Sequence, residues 1–255
     1  MPRLIFLGTS NAIPDKEHEN THMVVVADNR VVLVDCVSNP ILRLEEVGVD
    51  FNDLTDLILT HFHPDHVSGV PQLLMNMWLM GRTRPLNVYG LHYTLDRVED
   101  LMGFYSWSEW PNFFPVIFFR LPAKELTTVL DDNEMRILAS PVKHMIPNIG
   151  LRFEFKKTNK SVAYSCDTEP CDEVIRLASG VDVLIHEASG PFVGHSSPAQ
   201  AGSIASDAQV GALYLIHYPT GKYAMGDLEP EAMKTFTGSV KMAADYMVID
   251  LNRNK

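Results

Sequence analysis

The chain has 255 residues, of which 46% are hydrophobic and 21% are charged, a balance that is ordinary for globular proteins. Its 32 acidic and 21 basic side chains give a net charge of −11, which excludes non-specific coating of DNA or RNA by a general cationic surface. The length and the even composition predict one domain over residues 1–255.

Cysteine content and hydropathy indicate the compartment. The three cysteines, Cys36, Cys166 and Cys171, are too few for a disulfide framework, and we expect thiols in a reducing, cytoplasmic environment. The apolar stretches at residues 4–7 and 73–80 are shorter than a signal-peptide core or a membrane span requires. No membrane segment is therefore expected.

The first half of the chain alternates β-branched runs with amphipathic segments. Strands are predicted at residues 4–7, 23–27, 31–35, 57–60 and 86–89. Helices are predicted at residues 41–47, 67–80 and 94–102. Eight aromatic side chains then crowd into residues 103–119 together with Pro111 and Pro115, and we interpret this stretch as an irregular aromatic segment.

The second half of the chain continues this interleaving. Strands are predicted at residues 135–139, 151–155, 162–165, 183–185, 213–216 and 247–249. Helices are predicted at residues 171–178, 198–208 and 229–236. The pattern fits two β-sheets that pack face to face and are covered by helices.

One short segment carries most of the chemistry. Residues 60–66, Thr-His-Phe-His-Pro-Asp-His, place three imidazoles and one carboxylate directly after a predicted strand. Both groups are good ligands for zinc, manganese and iron. His61 and His63 alternate on an extended chain and point the same way, while Asp65 and His66 lie where a helix begins. The alternative, a polar loop of satisfied histidines, is disfavoured by four such groups so close together.

This segment cannot complete two metal sites alone, so further ligands must come from other strand ends. Three residues follow predicted strands, namely His144, Asp167 and His217. Taken singly, the histidines would be ordinary core or surface residues and Asp167 a helix cap. Beside the cluster at residues 60–66, we interpret all three as metal ligands.

Residues 61–66 resemble the H-x-H-x-D-H motif of the metallo-β-lactamase-fold hydrolases. Three further segments are similar to motifs of the ribonuclease Z and phosphodiesterase group: residues 7–14 (LGTSNAIP), 186–189 (HEAS, against HEAT) and 194–197 (GHSS, against GHST). The resemblance covers essentially the whole chain. It implies an α/β fold, a four-layer αββα sandwich of two mixed β-sheets covered by helices.

The resemblance also implies two divalent metal ions, with zinc favoured over manganese or iron. One ion would take His61, His63 and His144, the other would take Asp65, His66 and His217, and Asp167 would bridge them. Two such ions share a hydroxide that forms from water with a pKa of about 7, and this hydroxide would be the nucleophile.

The same resemblance assigns proton transfer. Asp65 would orient or deprotonate the attacking water, and His195 would protonate the leaving oxygen. Glu187 would orient His195 and keep it protonated. Asp35 would hold a ligand histidine by its other ring nitrogen, although Cys36-Val37 follows it where the family usually has Cys-Gly.

The chain departs from ribonuclease Z in its central region. No basic arm that would grip a tRNA body is readable, and the aromatic segment 103–119 occupies the corresponding place with no basic residue before Arg120. So much apolar area must cover the active-site mouth or lie at an interface, and the family's usual assembly favours a homodimer.

We therefore predict a dinuclear metal-dependent hydrolase, with a small phosphodiester as the favoured substrate and a metal-bound hydroxide as the nucleophile. A ribonuclease Z-type tRNA 3′-end endonuclease and an enzyme for another ester class, such as aryl sulfates or lactones, stay open as alternatives. The full ligand set disfavours a binding protein that has lost its chemistry. A di-iron redox enzyme is disfavoured because no fused electron carrier is readable.

Overall fold

The computed structural model describes residues 2–252, so that Met1 and residues 253–255 of the predicted domain lie outside the described residues. The first sheet is built from β1 (Arg3–Gly8), β2 (His22–Val26), β3 (Val31–Val34), β4 (Asp56–Ile58), β5 (Leu86–Leu91) and β6 (Val116–Leu121). The second contains β7 (Thr127–Asp131), β8 (Met135–Val142), β9 (Asn148–Phe155), β10 (Lys160–Tyr164), β11 (Val183–Glu187), β12 (Ala212–Ile216) and β13 (Ser239–Met242). The last strand, β14 (Val248–Asp250), returns to the first sheet beside β1.

Both sheets are mixed. Their spatial orders are β14-β1-β2-β3-β4-β5-β6 and β13-β12-β11-β10-β9-β8-β7. Strands β3 to β6 run parallel to one another, as do β10 to β13, while the remaining pairs are antiparallel. Because parallel strands end on the same edge of a sheet, each sheet delivers several consecutive loops to one edge.

The helices are α1 (Pro40–Glu46), α2 (Pro64–Val67), α3 (Val70–Leu79), α4 (His92–Phe104), α5 (Asp172–Ala178), α6 (Pro198–Asp207) and α7 (Glu229–Ala232). Apolar side chains between the sheets form a central core, which includes Phe6 and Phe153. A second cluster joins α1, α3 and α4 to the first sheet, and a third joins α5, α6 and α7 to the second. These layers confirm the predicted αββα sandwich. Within residues 2–252, no helix has the length and apolar character needed to cross a membrane.

The prediction of one helix over residues 67–80 is confirmed for residues 70–79 and is wrong at its start. Helix α2 ends at Val67, and α3 begins at Val70. The Gly69 N–H between them donates to the carbonyl of Cys36, and the Gly69 backbone lies directly against Val37. The helix is therefore interrupted where the chain packs on the loop after β3.

The prediction of an irregular stretch at residues 103–119 is wrong in part. Its first residues end α4, Trp107–Glu109 form a 3₁₀ turn, and the stretch from Val116 belongs to β6. Strands β7 and β13 are also absent from the prediction. All three omitted strands lie at sheet edges, where partly exposed side chains weaken the hydrophobic pattern.

We predict that Gly69→Ala destabilises the protein by about 1–3 kcal/mol, because the new Cβ would lie 2.7 Å from the Val37 backbone. Gly103→Ala is the matched control, since Gly103 is in α4 and a Cβ added there would meet no atom of the described residues within 4 Å. It should stabilise the helix by about 0.5–1 kcal/mol. Urea midpoints at constant m-value measure both changes, and equal midpoints would contradict the tight contact at Gly69.

Candidate active site

The seven side chains that the sequence predicts as metal ligands come together at strand ends of both sheets. Four follow β4 of the first sheet, namely His61, His63, Asp65 and His66. Three follow β8, β10 and β12 of the second sheet, namely His144, Asp167 and His217. Helix α2 begins at Pro64, which places Asp65 and His66 in its only turn.

The ligand atoms form two groups that meet at Asp167. In the first group, the Nδ1 of His63 lies 3.0 Å from the Nε2 of His61 and 3.1 Å from the Nε2 of His144. In the second group, the Oδ2 of Asp167 lies 3.5 Å from the Nε2 of His66 and 3.4 Å from that of His217.

The same Asp167 oxygen lies 3.9 Å from the Nε2 of His61 and 4.0 Å from the Nε2 of His144. Asp65 completes the second group, with its Oδ2 placed 3.4 Å from the Nε2 of His217. The geometry thus offers two neighbouring sets of nitrogen and oxygen donors that share one carboxylate.

The donor set fits divalent cations. Two of its buried atoms, the Nε2 of His66 and the Oδ1 of Asp167, have no hydrogen-bond partner among the described residues, which is costly unless an ion engages them. Burial by itself lowers the pKa of His66, but the charges of Asp167 and Asp35 raise it well above its usual range. Burial by itself raises the pKa of Asp167, but the charges of His217 and His66 hold it well below its usual range. The negative charges of Asp167 and Asp35 therefore favour positive charge at His66, whereas burial lowers the pKa values of His61, His63 and His144 and keeps those rings in the neutral form that binds metals.

The other ring nitrogens of the ligand histidines are held by nearby groups. The Nδ1 of His66 lies 2.8 Å from the buried Asp35 carboxylate, which also accepts from the backbone N–H of Thr60. The Nδ1 of His144 lies 2.8 Å from the carbonyl of Gly194, and that of His217 lies 2.9 Å from the hydroxyl of Ser189. Each contact turns Nε2 toward the site and fixes the ring.

Three residues around the site have backbone conformations that side chains rarely adopt. Asp35, Cys166 and His217 have φ values of 60°, 52° and 53°. Each lies within two residues of the end of a strand. His217 is itself a proposed ligand, Cys166 precedes the ligand Asp167, and Asp35 contacts the ligand His66. Such strain persists where the surrounding contacts fix it, which is typical of functional sites.

His195 and Glu187 form a pair beside the metal ligands. The Nδ1 of His195 lies 3.1 Å from the Oε1 of Glu187. The Glu187 side chain is fully buried, and the same oxygen accepts a hydrogen bond from the backbone N–H of Ser196. Burial by itself lowers the pKa of His195, but the hydrogen bond and the charge of Glu187 raise it above its usual value. The His195 ring lies parallel to that of His217, with the ring centroids 5.8 Å apart.

A cleft of about 720 Å³ opens over the site. Its floor includes His63, Asp65, Asp167, His195 and His217. Among the described residues of one chain, none from the aromatic segment 103–119 lines this cleft. The aromatic segment therefore does not form a wall of the cleft in the same chain. Four histidines lie outside the predicted set, and none of them is among the residues that line the cleft. Two of the four, His22 and His186, are fully buried.

Sequence reasoning missed the groups that hold His144 and His217. Ser189 ends the HEAS segment and Gly194 begins the GHSS segment, so the two motifs mark their places. The residue types give no such signal, because one contact uses a backbone carbonyl and the other a single hydroxyl.

Comparisons with known proteins identify the family. A family model described as Anti-Pycsar protein Apyc1 matches residues 2–239. The ribonuclease Z of Methanothermobacter thermautotrophicus is 25% identical over 310 residues, which cover 98% of this chain and 97% of that protein. The ribonuclease Z of Mycolicibacterium gilvum is 30% identical over 251 residues, which cover 86% of this chain and 84% of that protein.

A solved structure shows the same fold. The metallo-β-lactamase-fold protein YhfI from Bacillus subtilis matches with a TM-score of 0.82 at 23% identity, over 98% of this chain and 99% of YhfI. The predicted resemblance and enzyme class are thereby confirmed. The chain belongs to the family of the anti-Pycsar protein Apyc1, is a relative of ribonuclease Z, and is a metal-dependent hydrolase of the metallo-β-lactamase fold.

Proposed function

We propose that the chain is a dinuclear phosphodiesterase for small substrates. The observation that carries this proposal is the shared position of Asp167 between two groups of donors on the floor of a cleft. His61, His63 and His144 would hold one ion, and Asp65, His66 and His217 the other, with Asp167 common to both. Zinc is the favoured metal, because imidazole and carboxylate together suit it well.

Two divalent ions at such a site supply Lewis-acid polarisation of a phosphoryl group and activation of water at neutral pH. The chain's own residues do the rest. Asp65 lines the cleft and can orient the attacking water or accept its proton. His195, tied to Glu187 through Nδ1, keeps Nε2 for the substrate and can protonate the leaving oxygen.

The charge of the cleft supports a small substrate over tRNA. Among its described lining residues there is no lysine or arginine, and its carboxylates are Asp65 and Asp167. A polyanion needs cations along its path, whereas one phosphodiester needs only the metal centre. The ribonuclease Z relatives keep tRNA processing as the second candidate function.

We propose in addition a homodimer in a reducing, cytoplasmic compartment. Helices α1, α3 and α4 contact one another in order on one outer face. They present apolar side chains that are 51–86% exposed, namely Leu42, Leu79, Met80 and Phe104. The three cysteines are free thiols, which suits a reducing compartment.

The substrate class is tested by assaying the metal-loaded protein on bis(p-nitrophenyl) phosphate, a cyclic nucleotide, an aryl sulfate, a lactone and a precursor tRNA side by side. We expect the phosphodiesters to be cleaved and the sulfate and the lactone to be spared. Preferred cleavage of the precursor tRNA, with a steep loss of activity as salt rises, would contradict the small-substrate proposal.

Loss of the general acid should slow turnover. We expect His195→Ala to lower kcat by about 10²–10⁴-fold with the metal content unchanged. Wild-type activity should fall at alkaline pH as His195 loses its proton, and this fall should be absent in the variant. Esters with p-nitrophenolate as leaving group should suffer less than alkyl esters, because they need less protonation. His92→Ala changes an exposed histidine and serves as control. Equal losses on both leaving groups would exclude the acid role.

The proposed dimer is tested by sizing. Leu79→Asp should convert the protein to monomer, because it places a charge in the exposed apolar face. Met233→Asp, at an exposed methionine on another face, should leave the size unchanged. A wild-type protein that is monomeric at micromolar concentration would overturn the proposal.

A further inference from the structure

The cleft has an apolar rim that the proposed mechanism does not use. Six side chains around its mouth are 47–76% exposed although they are apolar. They form the apolar rim and are Ile13, Met145, Phe192, Val193, Tyr223 and Met225. These residues come from loops after β1, β8, β11 and β12. Exposed apolar groups from four separate loops that converge on one opening indicate a contact surface.

Among the residues that the structure describes, no lysine or arginine lines the cleft, although one lysine lies over a ring of the apolar rim. Lys143, next to the ligand His144, is paired with Glu169 at 2.6 Å. Lys222 places its ammonium over the ring of Tyr223, 4.9 Å from the centroid, and is not among the residues that line the cleft. The apolar rim therefore suits an uncharged ligand group better than an anionic one.

One loop connects the rim to the chemistry. Gly190 and Gly194 bound this loop, with φ values of 123° and 81°, and the Phe192 ring lies so close to Gly190 that a Cβ there would be 2.7 Å from it. The carbonyl of Phe192 accepts from the backbone N–H of His195, and that of Gly194 holds His144. A substituent that packs on Phe192 thus lies beside the general acid and a metal ligand.

We propose that the apolar rim binds a flat, uncharged aromatic substituent of the phosphodiester and makes it the main determinant of substrate preference. This inference rests on the proposed phosphodiesterase function. The exposed ring of Phe192 provides a face on which a substrate ring can stack. Met145 and Met225 are flexible and polarisable, so the rim accepts rings of several sizes rather than one shape.

Two esters with the same leaving group test the preference: p-nitrophenyl phenyl phosphate and p-nitrophenyl methyl phosphate, with the metal-loaded protein. Their ratio of kcat/KM should fall by about tenfold in Phe192→Ala and in Met225→Ala, mainly through KM for the phenyl ester. Comparing the ratio between variants cancels the different intrinsic reactivities of the esters. Met233→Ala, an exposed methionine outside the cleft, should keep the wild-type ratio.

Binding of phenyl phosphate and methyl phosphate to the metal-loaded protein, measured by calorimetry, gives a readout that needs no turnover. We expect about tenfold tighter binding of phenyl phosphate in wild type and no difference in Phe192→Ala. An unchanged ratio and unchanged affinities in both rim variants would overturn the inference. Absence of hydrolysis with a retained preference in binding would instead overturn the proposed phosphodiesterase function alone.

Discussion

The carboxylate of Asp167 is the point at which the two sheets, the two groups of ligands and the charge of the site meet. It follows β10 of the second sheet, yet its Oδ2 lies within 4.0 Å of the Nε2 atoms of four histidines, two of which follow β4 of the first sheet. Removing this group would leave buried imidazoles facing one another without a counter-charge. The left-handed conformation of Cys166 and the contacts of its neighbours serve to hold this one side chain in place.

The ligand positions at strand ends, the edge strand β14 and the contact of Asp35 with a ligand histidine could be predicted from the sequence. The other three edge strands and the groups that hold His144 and His217 could not. His144, Asp167 and His217 each follow an apolar run, and the topology of parallel strands brings such positions together. Strands β6, β7 and β13 escaped prediction because an edge strand buries fewer of its side chains. The contact between the carbonyl of Gly194 and His144 could not be predicted, because every residue type has a backbone carbonyl.

The apolar rim illustrates a second limit of the sequence. Ile13, Met145, Phe192 and Met225 are far apart in the chain and look individually like core residues. Only the fold shows that they are exposed around one opening. The net charge is −11, and the described lining of the cleft contains no lysine or arginine. Together with the apolar rim, these features favour a substrate with one charged phosphate and an otherwise uncharged structure.

Elemental analysis of protein purified with saturating zinc or manganese tests the dinuclear centre most directly. We expect close to two ions per wild-type chain and about one in His63→Ala, which removes a donor from the group of His61 and His144 alone. His92→Ala, at an exposed histidine, should retain both ions. One ion or fewer per wild-type chain at metal saturation would contradict the dinuclear centre.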